Sequence, residues 1–466
     1  MAIMLNTMPY KNGIILFTLF IICFSFCKPE KKENSFPQEV TFNEHIAPII
    51  FKNCTPCHRP NAPGPFTLTS YEDVRNKSKT IVKVTQSRYM PPWPADAAYT
   101  NFKEEKILSQ KEIDLIRIWA ENGCLRGDSS IIPALPTFPD GSQVGEPDMV
   151  IKFPEIHLEG NNLDHFFLIK VPYEMYADKF VKTIEFIPGH KKAAHHMNAN
   201  LIEYKPGKKK TVFDGIKVIP TNLAVSAEEV QSTMDNKNDD GTYPILIPLV
   251  CNYLPGVSPA IYPEGIGGFK MSKQGVFFIN DYHFGPIPRD TFDATSILNI
   301  FFADRPPLRP TYELLLGSLG IAPVKPDLII PANEIKTFTI DYSVPQDISI
   351  LTINPHMHLI GKMFLAYALS PAGDTIPLIR INKWDFRWQY FYTFKKMVKI
   401  PAGSIIHVEG TYDNTEKNVN NPYFPPRVIV DRGDKFDSMK TTNEMLQFII
   451  TYLPYQTGDE NITLEN

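Results

Sequence analysis

Cysteine is scarce in this chain, with six residues in 466. They are too few and too scattered to form a disulfide scaffold. The chain also lacks a long basic run, and its net charge of −4 gives no electrostatic footprint for nucleic acid. No internal repeat with the roughly 20–50-residue period of solenoids and propellers is present. Long helical patterns are few and prolines number 42, so we expect β-rich structure with many turns in about three domains.

The N-terminal apolar run, residues 14–26, is too short to span a bilayer comfortably. It follows Lys11 and ends at Cys27, after which the chain is polar. This segment resembles a bacterial lipoprotein signal, which implies a signal over residues 1–27, lipidation of Cys27 and a tether over residues 28–37. Phe26 stands where a small residue is usual, so a plain signal peptide is the alternative. Both interpretations predict an extracytoplasmic protein, in the periplasm or at the cell surface, and lipidation would anchor it to a bacterial membrane.

Cys54, Cys57 and His58 form a Cys-x-x-Cys-His motif, the attachment signature of c-type haem. Two thiols at this spacing can bond both vinyl groups of a haem, and the adjacent imidazole can reach the iron. A redox disulfide or half of a zinc site are the alternatives, although no second Cys-x-x-Cys is present to complete a zinc site. The motif therefore predicts one haem c, bound within residues 38–127.

A helix is expected on each side of this motif. The first is a short helix over residues 43–53, with Asn43 as its N-cap and Pro48 limiting or bending it. A second helix should begin at the Ser109–Glu112 capping box and stop at Gly123. This arrangement resembles small cytochromes c. Met90, in a proline-rich loop, is the best candidate for the second axial ligand, although it could be a core residue. Residues 128–147 are rich in Pro, Ser, Gly and Asp and are expected to form a linker.

Beyond the linker, short alternating strands are separated by Pro, Gly, Asn and Asp. This pattern predicts two antiparallel β-sandwich domains of jelly-roll-like type, residues 148–300 and 301–466. His356 and His358 lie in an alternating run, where residues i and i+2 share a face, so both imidazoles can reach one copper or zinc ion. His195 and His196 are adjacent and would face opposite sides of a regular strand. A shared metal there requires a twist or bulge.

Four motifs follow one another in these domains: His195-His196-Met197, His283 after an apolar strand, His356-Met357-His358, and Glu444-Met445. In this order they resemble the copper type II, ascorbate-dependent monooxygenases, which include the peptidylglycine α-hydroxylating and dopamine β-monooxygenases. Residues 253–256, 263–268 and 410–415 support the resemblance. It covers roughly residues 148–460 and implies that each copper belongs to one sandwich domain, with a solvent-filled cleft between the two ions.

The resemblance also implies six copper ligands. The electron-donating copper would be bound by His195, His196 and His283. The copper that meets oxygen and substrate, where catalysis takes place, would be bound by His356, His358 and Met445. Imidazole suits both copper oxidation states, and a thioether favours Cu(I). Each of the six could instead be a structural residue, and the methionines that compete with Met445 are Met357, Met363 and Met439.

Three positions depart from the peptide-hydroxylating relatives. Asn354 replaces an arginine that binds the substrate carboxylate, while Gln447 and Ile449 replace an asparagine and a tyrosine. A peptidyl-glycine substrate is therefore not expected.

These observations predict a copper monooxygenase that hydroxylates a C–H bond of a small organic molecule with O₂. Its cofactors would be two copper ions and one haem c. Electrons would pass through the haem from an external donor, either ascorbate-like or a redox protein. One alternative is a non-catalytic haem and copper electron-transfer or copper-binding protein. A haem-binding module with structural sandwiches and a hydrolytic zinc enzyme are others; the last is disfavoured because no paired carboxylate near the histidines resembles a general base.

Overall fold

The computed structural model describes residues 36–131, 133–138, 141–221, 226–431 and 441–465. Strands make up 36% and helices 12%, so the protein is mainly β, as the sequence predicts. The chain separates into two units, residues 1–39 and 40–466. Cys27, the expected lipidation site, and Met439 lie outside the described residues. Among the residues that are described, no helix has the length and apolar character needed to cross a membrane.

Four of the five α-helices found in the described residues lie in the N-terminal third of the chain. They are α1 (Ala47–Asn53), α2 (Tyr71–Asn76), α3 (Ser78–Gln86) and α4 (Gln110–Glu121), and α5 (Ala227–Thr233) follows later. A π-helical turn, Phe42–Ile46, precedes α1, and a 3-10 turn, Asp459–Asn461, lies near the C-terminus. The helices on the two sides of the haem motif are packed together, because Phe42 and Trp119 are buried in one core with ring centroids 6.0 Å apart.

The helix boundaries agree with the sequence at α4 and differ at α1. Ser109 accepts a hydrogen bond from the Glu112 amide while the Glu112 carboxylate accepts one from the Ser109 amide, which confirms the capping box. The predicted cap at Asn43 is wrong, because Asn43 lies inside the π-helical turn and its side chain donates to the Asp128 carbonyl at 2.7 Å. Pro48 lies in the first turn of α1, where no amide donor is needed.

The strands form two successive groups. The first group is β1 (Met149–Lys152), β2 (Ile156–Leu158), β3 (His165–Glu174), β4 (Lys179–Ile187), β5 (Ala194–Glu203), β6 (Val218–Pro220), β7 (Ile245–Tyr253), β8 (Phe269–Met271), β9 (Gln274–Phe284), β10 (Thr291–Asp293) and β11 (Ile297–Phe302). The second group is β12 (Tyr312–Gly317), β13 (Ile329–Ile330), β14 (Ile335–Ser343), β15 (Ile348–His356), β16 (Gly361–Leu369), β17 (Thr375–Ile381), β18 (Tyr392–Ile400), β19 (Ile405–Asp413), β20 (Ile429–Val430) and β21 (Gln447–Pro454).

Each group builds a pair of main antiparallel sheets. In the first, the sheet orders are β1-β11-β4-β8 and β6-β3-β9-β5-β7, and side chains from both sheets share one buried core. In the second, the orders are β12-β21-β15-β18 and β14-β19-β16-β17, again with one common core. Strand β11 runs to Phe302, so the expected boundary at residues 300/301 falls inside a strand.

The loop between α3 and α4 is docked on the second group of sheets. Ala95 and Phe102 form isolated β-bridges with Ile381 and Phe394, and both are buried in the core of that group. The Lys103 amide donates to the Thr393 carbonyl at 2.7 Å. Backbone pairing of this kind fixes the helical region against the sheets, so it does not swing freely on the 128–147 segment.

Candidate metal centres

A bulge brings His195 and His196 to the same place. In the pairing of β5 with β9, Ala194 stands opposite Phe284 and His196 opposite His283, with a register shift between the two pairs. His195 is the extra residue of this bulge, which re-aims a side chain that would otherwise face away. The ring centroid of His283 lies 4.9 Å from that of His195 and 4.9 Å from that of His196. The bulge that a metal shared by His195 and His196 requires is therefore present.

Carboxylates orient two of these three rings. His196 donates from Nε2 to Asp281 at 2.7 Å, and His283 donates from Nε2 to Asp164 at 2.8 Å. These bonds place the proton on Nε2 and leave the lone pair on Nδ1. The Nδ1 atoms of His196 and His283 are buried without a hydrogen-bond partner in the described residues. A buried polar atom without a partner is costly, and a metal ion would satisfy both.

Burial favours the neutral form of two of the three imidazoles. It lowers the pKa of His195 to about 4 and also lowers the pKa of His283. Burial acts to raise the pKa of Asp281, but its interactions with His196, which include the hydrogen bond, outweigh burial, and the pKa falls below its ordinary value. Neutral imidazoles next to ionised carboxylates are the form in which histidine binds a metal.

The ring spacing fits a shared ion. Two imidazoles on one ion, with metal–nitrogen distances of about 2.0 Å, have ring centroids roughly 4.5–5.2 Å apart. Both pairs that include His283 meet this spacing. In the described residues, no three or more His, Cys, Asp or Glu side chains already have their donor atoms converged as on a bound ion. Binding of one ion would therefore require the rings to move, and of the three His195 is the half-buried one while His196 and His283 are buried.

His356 and His358 form a second pair at the end of β15. Their ring centroids are 5.0 Å apart, within the spacing expected for one ion. Nδ1 of His356 donates to the side-chain oxygen of Gln389, and Nδ1 of His358 donates to the Asn443 carbonyl at 3.0 Å. Both bonds favour the tautomer in which Nε2 carries the lone pair. Burial lowers the pKa of His356 to about 3, with His358 as a second cause.

Met445 follows the segment that contacts His358. The Glu444 carboxylate accepts hydrogen bonds from the amides of His358 and Ile360, both at 2.8 Å, which fixes residues 443–445 beside the histidine pair. Met445 is 6% exposed and belongs to none of the hydrophobic clusters, although it is buried. Its competitor Met357 lies within the core of the second group of sheets, and Met363 is 41% exposed on β16. Burial outside the core favours Met445 as the thioether ligand.

The two histidine groups meet at Phe386. Its ring centroid is 5.6 Å from that of His196 and 5.8 Å from that of His358. Asp281 is close enough to His356 for each to affect the pKa of the other, alongside their nearer partners. One buried phenylalanine therefore contacts both groups, and the solvent-filled cleft that the resemblance implies stays a prediction.

The haem motif has the local geometry that an axial histidine needs. His58 donates from Nδ1 to the Phe66 carbonyl at 3.0 Å, which leaves the lone pair on Nε2 for a metal. A Cβ at Gly64 would lie 2.6 Å from the Cys57 carbonyl oxygen and 2.8 Å from Nδ1 of His58. Only glycine therefore allows the backbone at residue 64 to pack this closely against the His58 imidazole. Cys54 and Cys57 are free thiols. This donor set fits a covalently attached haem.

Met90 lies just after α3, where its amide donates to the Val84 carbonyl at 3.1 Å. The following residues contact the second group of sheets. The Pro92 carbonyl accepts a hydrogen bond from the Tyr390 hydroxyl at 2.7 Å, and the Trp93 ring is 5.2 Å from that of Tyr390. The structure gives no direct contact between Met90 and His58, so its axial role stays a prediction.

Several residues at these sites were not singled out from sequence. Asp281 could have been found, because it stands two residues before His283 on the same strand. Phe386 and Gln389 carry no sequence signal, since they reach the histidines only through tertiary packing.

Asn354, the position of the relatives' arginine, is 5% exposed and donates to the Tyr390 carbonyl at 2.9 Å. It therefore has a structural contact.

Comparison with known protein families gives a match to one part of the chain. Residues 329–421 match the family model of the copper type II ascorbate-dependent monooxygenase, C-terminal domain. This range contains His356 and His358. No curated protein matches the chain.

Solved structures similar to the chain include three of infectious bursal disease virus. The Gt strain structure shares 12% identity over 69% of this chain and 87% of that one, with a TM-score of 0.14. The VP2 subviral particle shares 12% over 70% and 85%, with a TM-score of 0.14. The Gx strain structure shares 9% over 68% and 85%, with a TM-score of 0.15. TM-scores this low carry no argument about fold or function.

Proposed function

We propose that this protein is a copper-dependent monooxygenase that hydroxylates a C–H bond of a small organic molecule, with electrons supplied through a c-type haem. The family match over residues 329–421 supports the copper chemistry. The observation that carries the proposal is the pair of buried Nδ1 atoms of His196 and His283, which have no hydrogen-bond partner in the part of the chain that the structure describes and which an ion would satisfy. In this proposal the sheet pairs are jelly-roll-like sandwiches, one for each copper.

The reaction needs two electrons besides those of the C–H bond: substrate, O₂, two electrons and two protons give the alcohol and water. Copper supplies one-electron chemistry between Cu(I) and Cu(II) and the ability to reduce oxygen. His195, His196 and His283 would bind one ion, and His356, His358 and Met445 the other.

The chain's own residues would prepare these sites in three ways. Asp281 and Asp164 hold the rings of His196 and His283 in the tautomer that leaves the Nδ1 lone pair for an ion. Glu444 fixes the backbone of His358 and so the position of Met445. Phe386 is buried and its ring contacts both His196 and His358, so it would keep water away from these rings.

Cys54, Cys57, His58 and Met90 would hold a haem, which would supply one-electron chemistry with an external donor such as ascorbate or a redox protein. Two transfers are needed per product. We also propose that the protein acts outside the cytoplasm, anchored to a bacterial membrane through Cys27. The sequence of residues 1–35 supports this localisation.

The test is oxygen uptake by haem- and copper-loaded protein with ascorbate, using a panel of small organic compounds with activated C–H bonds and ¹⁸O₂. The expected result is compound-dependent uptake, a product carrying one ¹⁸O atom, and loss of both in His356→Ala. Uptake that is unchanged in His356→Ala, or that never yields an ¹⁸O-labelled product, would contradict the proposal.

A further inference from the structure

A cavity of about 380 Å³ lies between the first and the second group of sheets. Strand β7 lines it on one side, strands β12 and β18 line it on the other, and the loop between α3 and α4 contributes Trp93 and Lys106. Among the described residues that line it are none of the six proposed copper ligands, nor Cys54, Cys57 or His58. Its volume is in the range of small-molecule sites, roughly 300–1,000 Å³. The cavity is therefore distinct from the copper sites and from the haem motif.

Polar side chains form a row across the sheet β12-β21-β15-β18. Glu313 on β12 stands opposite Thr451 on β21. Thr451 also stands opposite Thr352 on β15, which in turn stands opposite Thr393 on β18. Directly opposed residues place their side chains on one face of a sheet, and neighbouring strands are about 4.8 Å apart, so this polar row is roughly 14 Å long. Glu313, Thr393 and Thr451 line the cavity.

Hydrogen bonds join the members of the polar row. The Thr451 hydroxyl donates to Oε1 of Glu313 at 2.8 Å. The Thr352 hydroxyl lies 3.0 Å from the hydroxyl of Thr393 and 2.8 Å from that of Tyr262, which also lines the cavity. Because a hydroxyl can donate one hydrogen bond and accept two, the polar row can still bond a ligand.

Two buried polar atoms of residues that line the cavity have no hydrogen-bond partner within the described ranges. They are Oε2 of Glu313 and the indole nitrogen of Trp93. Glu313 lies on β12, one edge strand of the sheet, and the Trp93 ring lies 5.3 Å from that of Tyr392 on β18, the other edge strand. Buried polar groups without partners are costly, so a ligand that reaches across the sheet would be stabilised by bonding both atoms.

The rings and charges of the lining favour an uncharged ligand with one apolar face. The Tyr390 ring lies 5.2 Å from that of Trp93, and both residues line the cavity, which gives an aromatic wall for the C–H face of a sugar ring. Three lysines also line it, Lys103, Lys106 and Lys182. They would repel a cation, and a carboxylate at Glu313 would repel an anion.

We propose that this cavity binds a small neutral carbohydrate about two sugar units long. Glu313 and Trp93 bond its hydroxyls from opposite edges of the sheet, Thr393 and Thr451 bond it between them, and its C–H face packs on Tyr390. A sugar hydroxyl both donates and accepts, as the hydroxyls of the polar row do. The site goes beyond the proposed function, because it uses none of the residues assigned to copper or haem.

The test is isothermal titration calorimetry on the full haem- and copper-loaded protein, with maltose, cellobiose, lactose, sucrose and N,N′-diacetylchitobiose as probes. At least one of them should bind with a Kd of about 1 mM or tighter. Glu313→Leu should weaken that binding at least about tenfold, because it removes the carboxyl and keeps an apolar side chain of similar size. Glu313→Gln, whose amide both donates and accepts, should stay within about threefold of the wild type.

Two further variants test the other end of the polar row. Thr393→Val and Trp93→Phe keep the shape of the side chain and lose one hydrogen-bonding group, so each should weaken binding at least about threefold. Glu264→Leu is the matched control, since Glu264 is exposed and does not line the cavity, and it should bind like the wild type. Haem and copper per chain are measured in every variant.

Charged probes test the preference for a neutral ligand. Chitobiose, which is cationic, and cellobionate, which is anionic, should each bind at least about tenfold more weakly than the best neutral probe. Tighter binding of a charged probe, no binding of any neutral probe, or unchanged binding in Glu313→Leu would overturn the proposal. Each of these results is obtained without oxygen uptake or turnover, so it would leave the proposed function standing.

Discussion

His196 donates a hydrogen bond from Nε2 to the carboxylate of Asp281, 2.7 Å away and two residues before His283 on the neighbouring strand. This contact sets the tautomer of a ring that is fully buried and leaves its Nδ1 as the lone-pair nitrogen, with the ring centroid 4.9 Å from that of His283. Metal-binding histidines depend on such partners for their orientation.

Asp281→Ala should therefore weaken copper binding at the first site by about 10–100-fold. Asp281→Asn, which keeps an oxygen acceptor without the charge, should show a smaller loss. Copper competition titrations with a chelator measure both, with His356→Ala present in each protein to remove the second copper and isolate the first site. An unchanged affinity in Asp281→Ala would mean that the carboxylate does not orient the ligand.

Met445→Leu should remove sulfur from the copper environment with little effect on folding, because the swap conserves volume and costs less than about 1.5 kcal/mol. X-ray absorption of the copper-loaded, reduced protein should show a sulfur scatterer in the wild type and none in the variant. Met357→Leu is the matched control, since Met357 packs in the core beside Gly410. Loss of the sulfur signal in Met357→Leu instead would assign the ligand to that residue.

Glu313 should make the protein less stable as pH rises. Its carboxyl lines a cavity of about 380 Å³ between the two groups of sheets, and one oxygen has no hydrogen-bond partner in the described residues. Burial raises its pKa from 4.5 to about 8, although Thr451 donates to its other oxygen. The folded state thus binds this proton more tightly than the unfolded state, so its contribution is present below pH 4.5 and is lost as pH rises through about 8.

In Glu313→Gln the side chain does not titrate, so the unfolding free energy of this variant should fall less steeply as pH rises. Between pH 5 and pH 8.5, the wild type should lose roughly 1–3 kcal/mol more unfolding free energy than the variant in urea titrations. Glu264→Gln, at an exposed position, should follow the wild type. Parallel curves for wild type and Glu313→Gln would contradict the assignment.

Asp96 should hold the haem-motif region on the second group of sheets. Its carboxylate accepts hydrogen bonds from the side chains of Arg380 and Asn382, each at 2.9 Å. Asp96→Ala should destabilise this docking by about 1 kcal/mol, since Asp96 and Arg380 are only partly buried. Amide hydrogen exchange at residues 93–106 should become faster, and Glu72→Ala, in the exposed pair with Arg126, should leave it unchanged.

The sequence predicted the features that depend on short spacing. The capping box at Ser109, the shared face of His356 and His358 and the need for a bulge at His195 all follow from backbone geometry. Asn43 was assigned wrongly because a π-helical turn moves the start of the helix to Thr41. Gln389 and Phe386 were missed because they are far from the histidines in sequence, and contacts between such residues are determined only by tertiary packing. The same holds for the docking of Ala95 and Phe102.

Copper and haem content per chain tests the central claim most directly. Full-length protein, matured with haem and loaded with copper, should contain one haem and two coppers by pyridine haemochrome and metal analysis. His283→Ala and His356→Ala should each lose one copper and keep the haem. One haem with no copper, under conditions where free copper is in excess, would contradict the account and leave a haem-binding protein with structural sheets.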